Sequence, residues 1–294
     1  LTPSTWSTLF QNKLYVEIGF SVLCSVIKIL GGSYQTLLIV TSLFVMLSCC
    51  IFIFRHSQNV LLSVFIIISF PFYYSSFDII RHFIATGFFL LGYKYIVEKK
   101  FIKYLLFLAM GSLFHAIAWL FLPFYFVRKI KWSSLYAIFA LITTAVCFLY
   151  LENIAIFLAI LIGKSVPGDW VGSYGGGIKT AIMYFAILLV SLLSYNNQKE
   201  KTPDMACSLN YVFIMFLFSV IFINARIMTR MIMSAVPLIS IAIPELFYEK
   251  IKIYSRKNRS LLFFAFICVG LLYHGFMLVT NWQNVVPYIP YWSH

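Results

Sequence analysis

Long apolar runs recur along the whole chain, separated by short breaks that hold most of its lysines and arginines. Each run is close to the ~20 residues needed to cross ~30 Å of hydrocarbon as a helix. The first, Tyr15 to Leu30, carries Glu17 and Lys28 and reads as a weakly amphipathic segment, interfacial or partly inserted, that ends at Gly31 and Gly32. Thr36 to Phe54 reads as a plain spanning helix closed by Arg55 and His56. Asn59 to Ser75 then returns outward, and Phe77 to Val97 goes inward to a lysine loop at Glu98 to Lys103. Asp78, Arg81 and His82 are thereby expected in the first turns at the outer end of a helix.

Phe101 to Val127 has basic residues on both sides. One straight helix there would place Arg128, Lys129 and Lys131 outside, against the positive-inside rule. The pattern predicts a hairpin of two short helices turning near Gly111 to His115, with arms ~20 Å long at 1.5 Å per residue. His115 then lies in the outer part of the bilayer, where broken backbone persists only under cover of protein or a water-filled cavity. Ser133 to Leu151 runs outward, Ile154 to Gly163 is a short segment placed to re-enter, and Lys164 to Gly177 is a turn-rich outer loop. Ile178 to Tyr195 goes in, Leu209 to Asn224 out, Ile227 to Tyr248 in and Leu261 to Thr280 out. The tail from Asn281 to His294 is left outside, its tryptophans and tyrosines suited to an interface.

Composition confirms the solvent. With 62% hydrophobic and 11% charged residues, the chain has too little polar surface to cover a water-soluble globule. It reads as an all-α, polytopic transmembrane protein with broken or re-entrant helices, one transmembrane domain over residues 1–294. The start at Leu1, and the loop-like character of Thr2 to Lys13, lead us to expect further N-terminal helices that are missing here. The net charge of +13 sits in the breaks between runs, where it orients the chain. No basic stripe with interleaved aromatics stands apart as a nucleic-acid footprint would. The six cysteines show neither disulfide nor metal spacing.

Candidate chemistry lies where charge sits in hydrocarbon, because a charged side chain at the centre of an apolar helix costs about 2.5–3.5 kcal/mol on insertion scales. Asp78, Arg81 and His82 are spaced i, i+3 and i+4 and so would share a helix face. They read either as a self-satisfied pair at a helix mouth, with Asp78 suited to the dipole, or as a functional set. Arg226 and Arg230, just after Asn224, have no acid nearby in sequence. They either pair with acids from elsewhere or bind an anion, for which the planar fork of arginine suits phosphate; headgroup snorkelling is the alternative. His115 stands among Phe114, Ala116, Ile117 and Ala118, as a bonded core histidine or as a base for a sugar hydroxyl. His274 reads as structural. Gly172 and Gly175 to Gly177 lack the lysine of a phosphate loop. No zinc cluster, nucleophile elbow or paired-carboxylate motif is present, so no metal or cofactor is expected and a soluble-type hydrolase is disfavoured.

Three stretches resemble the EpsG family, the Wzy-like polymerases of exopolysaccharides and O-antigens. SFDIIRHFIATGFFLLGYKYIVEKKFIKYLLFLAMGSLFHAIAWLFLPFYFVRK, from Ser76, resembles the family's core of an arginine-led helix, a lysine loop and a Phe-His hairpin. NARIMTRMIMSAVPLI, from Asn224, resembles its later arginine-bearing helix, and NVVPYIPY, from Asn284, its outward tail. The family's usual Asn and Arg-Gln appear here as Asp78 and Arg81-His82. The resemblance implies a membrane-embedded, GT-C-like glycosyltransferase. It would transfer a growing glycan from one undecaprenyl diphosphate carrier to the sugar of another, at the outer face of the bacterial inner membrane. Substrate-binding roles then fall to Arg81, His82, Arg226, Arg230 and Tyr288, since guanidinium groups suit the charge that grows on a departing diphosphate. The base is expected to be His115, with Asp78 second. The implied partners are the lipid-linked donor and acceptor, the bilayer and a chain-length regulator. A lipid-linked oligosaccharide flippase and a membrane O-acyltransferase are the alternatives.

Overall fold

The computed structural model describes residues 17–70, 72–150, 177–196, 203–221, 223, 232–248 and 256–280. Among the described residues every regular element is helical and no strand occurs. The helices are α1 (Ile18–Ile29), α2 (Tyr34–His56), α3 (Val60–Ser69), α4 (Phe72–Asp78), α5 (Ile80–Val97) and α6 (Phe101–Ser112), then a 3₁₀ helix (Ala116–Phe121) and α7 (Phe124–Val127). There follow α8 (Ser134–Leu149), α9 (Gly177–Asn196), α10 (Pro203–Ile221), α11 (Val236–Tyr248) and α12 (Arg256–Val279). The chain divides into two compact units, Leu1–Arg55 with Ser76–Tyr125, and His56–Ser75 with Phe126–His294.

In the first unit α5 is the central helix, buried over most of its length from His82 to Ile96. Two helix ends, those of α1 and of α5 itself, close in the same way. After α1, Gly31 adopts a left-handed φ of 75°, and the Gly31 and Gly32 N–H groups return to the Lys28 and Ile27 carbonyls. This glycine stop was readable in sequence. After α5 the same motif has Lys99 in the left-handed position at φ 59°, a conformation that strains any residue with a Cβ.

The broken hairpin expected between residues 101 and 127 is present. Its register is antiparallel: the Phe101 and Tyr104 rings lie 5.0 and 5.8 Å from that of Tyr125. The Tyr104 hydroxyl donates to the Phe121 carbonyl at 2.6 Å, and a Cβ added at Gly111 would stand 3.2 Å from that of Ala118. The second arm differs from the expected α-helix by winding as a 3₁₀ helix. Pro123 is the physical reason. It has no N–H to return to Trp119 and its ring would crowd that carbonyl, which accepts from Leu122 at 3.1 Å instead.

In the second unit α10 is the buried helix, flanked by α8, α9 and α11, while α3 packs on α11 and α12. Polar side chains tie these elements. Ser63 Oγ donates to the Ser240 carbonyl at 2.5 Å, Asn210 Nδ2 to the Ile130 carbonyl at 2.8 Å, and Arg128 pairs with Asp204 at 2.5 Å.

The outward faces are apolar. α2 exposes Ile39, Leu43, Leu47 and Phe54, and α8 exposes Leu135, Phe139, Ile142 and Leu149 while its buried residue is Thr144. A water-soluble helix shows the opposite distribution. By length and composition α2, 23 residues at mean hydropathy 2.8, and α10, 19 residues at 1.8, can each cross a bilayer, and shorter apolar helices accompany them. All six cysteines are free thiols.

Candidate functional site

The first unit gathers polar side chains from three elements. α1 begins after Glu17, whose backbone is extended and whose carboxylate caps nothing. That carboxylate instead reaches Arg81 Nη1 at 2.6 Å, with side chains 26% and 36% exposed. The pair closes a sequence separation of 64 residues. Arg81 also stands 6.0 Å from the Phe20 ring centroid, at the outer limit for a cation on an aromatic face.

Two residues along, the Gly19 N–H donates to the Leu113 carbonyl at 2.8 Å, which fastens α1 to the turn of the hairpin. A Cβ on residue 19 would stand 2.8 Å from that same oxygen, so glycine is what permits the approach. His115 follows the turn with an extended backbone, φ −164° and ψ 132°, as an N-cap requires. Its Nδ1 accepts the Ile117 N–H at 3.1 Å and starts the 3₁₀ helix. His82, in the first turn of α5 and only 2% exposed, places its ring 5.4 Å from that of His115. Glu17, Arg81, His82 and His115 thus form one cluster at the junction of α1, α5 and the hairpin turn.

The arrangement constrains proton positions. An Nδ1 that accepts a backbone N–H cannot carry a proton, so the proton of a neutral His115 ring resides on Nε2. In this tautomer Nε2 is a donor. Arg81 is a partly exposed guanidinium whose charge Glu17 balances.

Asp78 does not share a helix face with Arg81 and His82, as its spacing led us to expect. It is the last residue of α4, Ile79 breaks the helix at φ −112°, ψ 58°, and α5 starts at Ile80. The i, i+3, i+4 relation holds only within continuous helix. Arg81 pairs with Glu17, a contact that no local pattern discloses; the sequence showed only an acid within an apolar run. Arg226, Arg230 and Tyr288 lie outside the described residues. His274, in the second unit, approaches the Tyr74 hydroxyl with its ring nitrogens at 3.2 and 3.3 Å.

A chain that is helical in its described residues, with apolar outer faces and a guanidinium, a carboxylate and two imidazoles at helix ends, has the make-up of a membrane protein with a polar site. The chain belongs to the EpsG family, whose model matches residues 3–290, nearly its whole length. The membership extends the resemblance of the three stretches to the intervening sequence, and it suggests a polysaccharide-polymerase-like, glycosyltransferase-type role in a membrane. No curated protein and no solved structure matches the chain.

Proposed function

We propose that the chain polymerises oligosaccharide units carried on undecaprenyl diphosphate, at the outer face of a bacterial inner membrane, with its C-terminus on that same side. The observation that carries this reading is the Glu17, Arg81, His82 and His115 cluster in a chain of the EpsG family. The acceptor hydroxyl oxygen bonds to the anomeric carbon of the donor glycan as that carbon's bond to the diphosphate oxygen breaks. The hydroxyl proton passes to a base, and undecaprenyl diphosphate leaves with the bonding electron pair.

Arg81 serves the leaving group. Its planar fork suits phosphate oxygens, and charge growing on the diphosphate strengthens the contact as the bond breaks. Glu17 holds the guanidinium in place and balances its charge until the diphosphate displaces it. His115, with its proton on Nε2, works as a hydrogen-bond donor to a phosphate or sugar oxygen, and His82 braces its ring at 5.4 Å. This tautomer supports assigning the base role, expected first of His115, to Asp78. Arg226, Arg230 and Tyr288 remain the proposed contacts to the second carrier, and a chain-length regulator the proposed accessory partner.

The test is incubation of the purified chain with a synthetic undecaprenyl diphosphate oligosaccharide. A ladder of products separated by one repeat unit is the expected result. Lipid translocated without a change of mass would make the protein a flippase, and dependence on an acyl donor would make it an acyltransferase; either outcome overturns the polymerase reading.

A further inference from the structure

The second unit contains an open-sided apolar groove of about 500 Å³ between α9 and α12, with Phe70 on its wall. Ile182, Ile187 and Val190 of α9 face Phe266, Tyr273 and Phe276 of α12 across it. Its volume is in the range of ligand pockets, and its lining is almost wholly hydrocarbon and ring. The aromatic wall is ordered: the Phe70 ring lies 5.7 Å from Tyr273, stacked, and 6.3 Å from Phe266. Next to Tyr273 on α12, and outside the groove lining, His274 hydrogen-bonds the Tyr74 hydroxyl of α4.

We infer that this groove seats the polyisoprenoid tail of a lipid-linked diphosphate substrate, with Tyr74 and His274 beside the first polar atoms of its headgroup. The inference rests on the polymerase reading and its orientation, and three observations select the occupant.

The first is depth. α9 begins, and α3 and α12 end, at what that orientation makes the outer face. Ile182 lies five residues from the start of α9, Phe276 three from the end of α12, and Phe70 directly after α3. From there the groove runs to Val190 and Phe266, each about 20 Å of helix from the outer end of its own helix, so it reaches from near the outer face to the bilayer centre, the path of a tail hanging from an outer headgroup. The second is width. From Phe266 to Phe276 the groove spans about 15 Å of helix, and 500 Å³ over that length is a mean section of roughly 30 Å². That is broader than an extended saturated acyl chain and suits a methyl-branched one. The third is polarity. A polar pair adjoining an apolar groove, through the step from Tyr273 to His274, complements an amphiphile, oxygen-rich at the head and hydrocarbon behind.

The test uses the full chain in phospholipid nanodiscs with undecaprenyl diphosphate bearing a diazirine in its isoprenoid tail. After photolysis, adducts are expected on Ile182 to Val190 and on Phe266 to Phe276. Unlabelled undecaprenyl diphosphate should suppress them at least about tenfold, and an equal amount of a diazirine-free phosphatidylglycerol should not. Ala186→Trp fills the groove from an exposed position that tolerates bulk, and should lower labelling about fivefold or more in folded protein. Adducts spread over the exposed faces of α2 and α8, equal competition by phosphatidylglycerol, or unchanged labelling of a folded Ala186→Trp protein would each overturn the assignment. Labelling requires no turnover. Specific adducts without ladder formation would leave the groove standing and remove the polymerase; ladders without specific adducts would do the reverse.

Discussion

His115 carries two jobs in this structure, and substitution can separate them. Through Nδ1 it caps the 3₁₀ helix by accepting the Ile117 N–H at 3.1 Å; through Nε2 it is proposed to donate to the substrate. His115→Ala removes both. Loss of an N-cap bond costs about 1 kcal/mol, within a range of about 0.5–2 kcal/mol, and the Ile117 N–H then lacks its acceptor at a half-buried turn. His115→Asn restores the cap, because asparagine is among the best capping residues and its Oδ1 reaches the same N–H, but its shorter side chain does not carry the Nδ2 donor to the place of the imidazole Nε2. We expect thermal unfolding of the His115→Asn protein in detergent to match the parent, with the His115→Ala protein lower by about the cap contribution. In the ladder assay both should lose turnover by about 10²–10³ fold, the usual consequence of deleting one preorganised donor. The loss should fall on kcat, with donor affinity largely kept. A His115→Asn protein that extends glycans at the parental rate would refute the donor role and leave His115 as a turn residue. Equal stability of the Ala and Asn proteins would refute the cap.

Arg81→Ala should lower donor affinity and turnover together, with partial rescue by Arg81→Lys, because a point charge replaces the Coulombic part of the contact and not the fork. Glu17→Gln should tighten donor binding, measured by titration of the lipid-linked donor, by freeing the guanidinium; weakened binding would show that Glu17 only positions Arg81. Lys99→Gly should stabilise the protein by about 1 kcal/mol, read as a raised unfolding midpoint, because glycine accepts φ 59° without strain. Tyr104→Phe should destabilise the hairpin by about 1–3 kcal/mol in the same measurement, since the buried Phe121 carbonyl loses its donor. In a cysteine-free background, new cysteines at Gly175 and Ser293 should react with an impermeant thiol reagent applied from outside and those at Asn197 and Asn258 should not; the reverse pattern would overturn the proposed orientation.

Local patterns determined much of this protein. Apolar run length specified helices, Gly31 specified the end of α1, and the basic residues on both sides of residues 101–127 specified a broken hairpin in place of one straight span. These are effects within a few residues, or of a bilayer acting on every residue alike, so they are legible in order and composition. The break at Ile79 and the 3₁₀ arm were not read in advance, although Pro123 was visible, because several residues had to settle jointly which carbonyl took which N–H. Only the tertiary structure paired Glu17 with Arg81, brought His82 to His115, fastened Gly19 to the hairpin turn and lined up α9 with α12 around a groove. Such contacts depend on how helices far apart in sequence pack, and a side chain's spacing along the chain carries no record of what faces it across an interface. The same limit governs the roles: residue type nominated His115 as a base, and only the fold shows that its Nδ1 accepts the Ile117 N–H, the contact from which we propose a donor role.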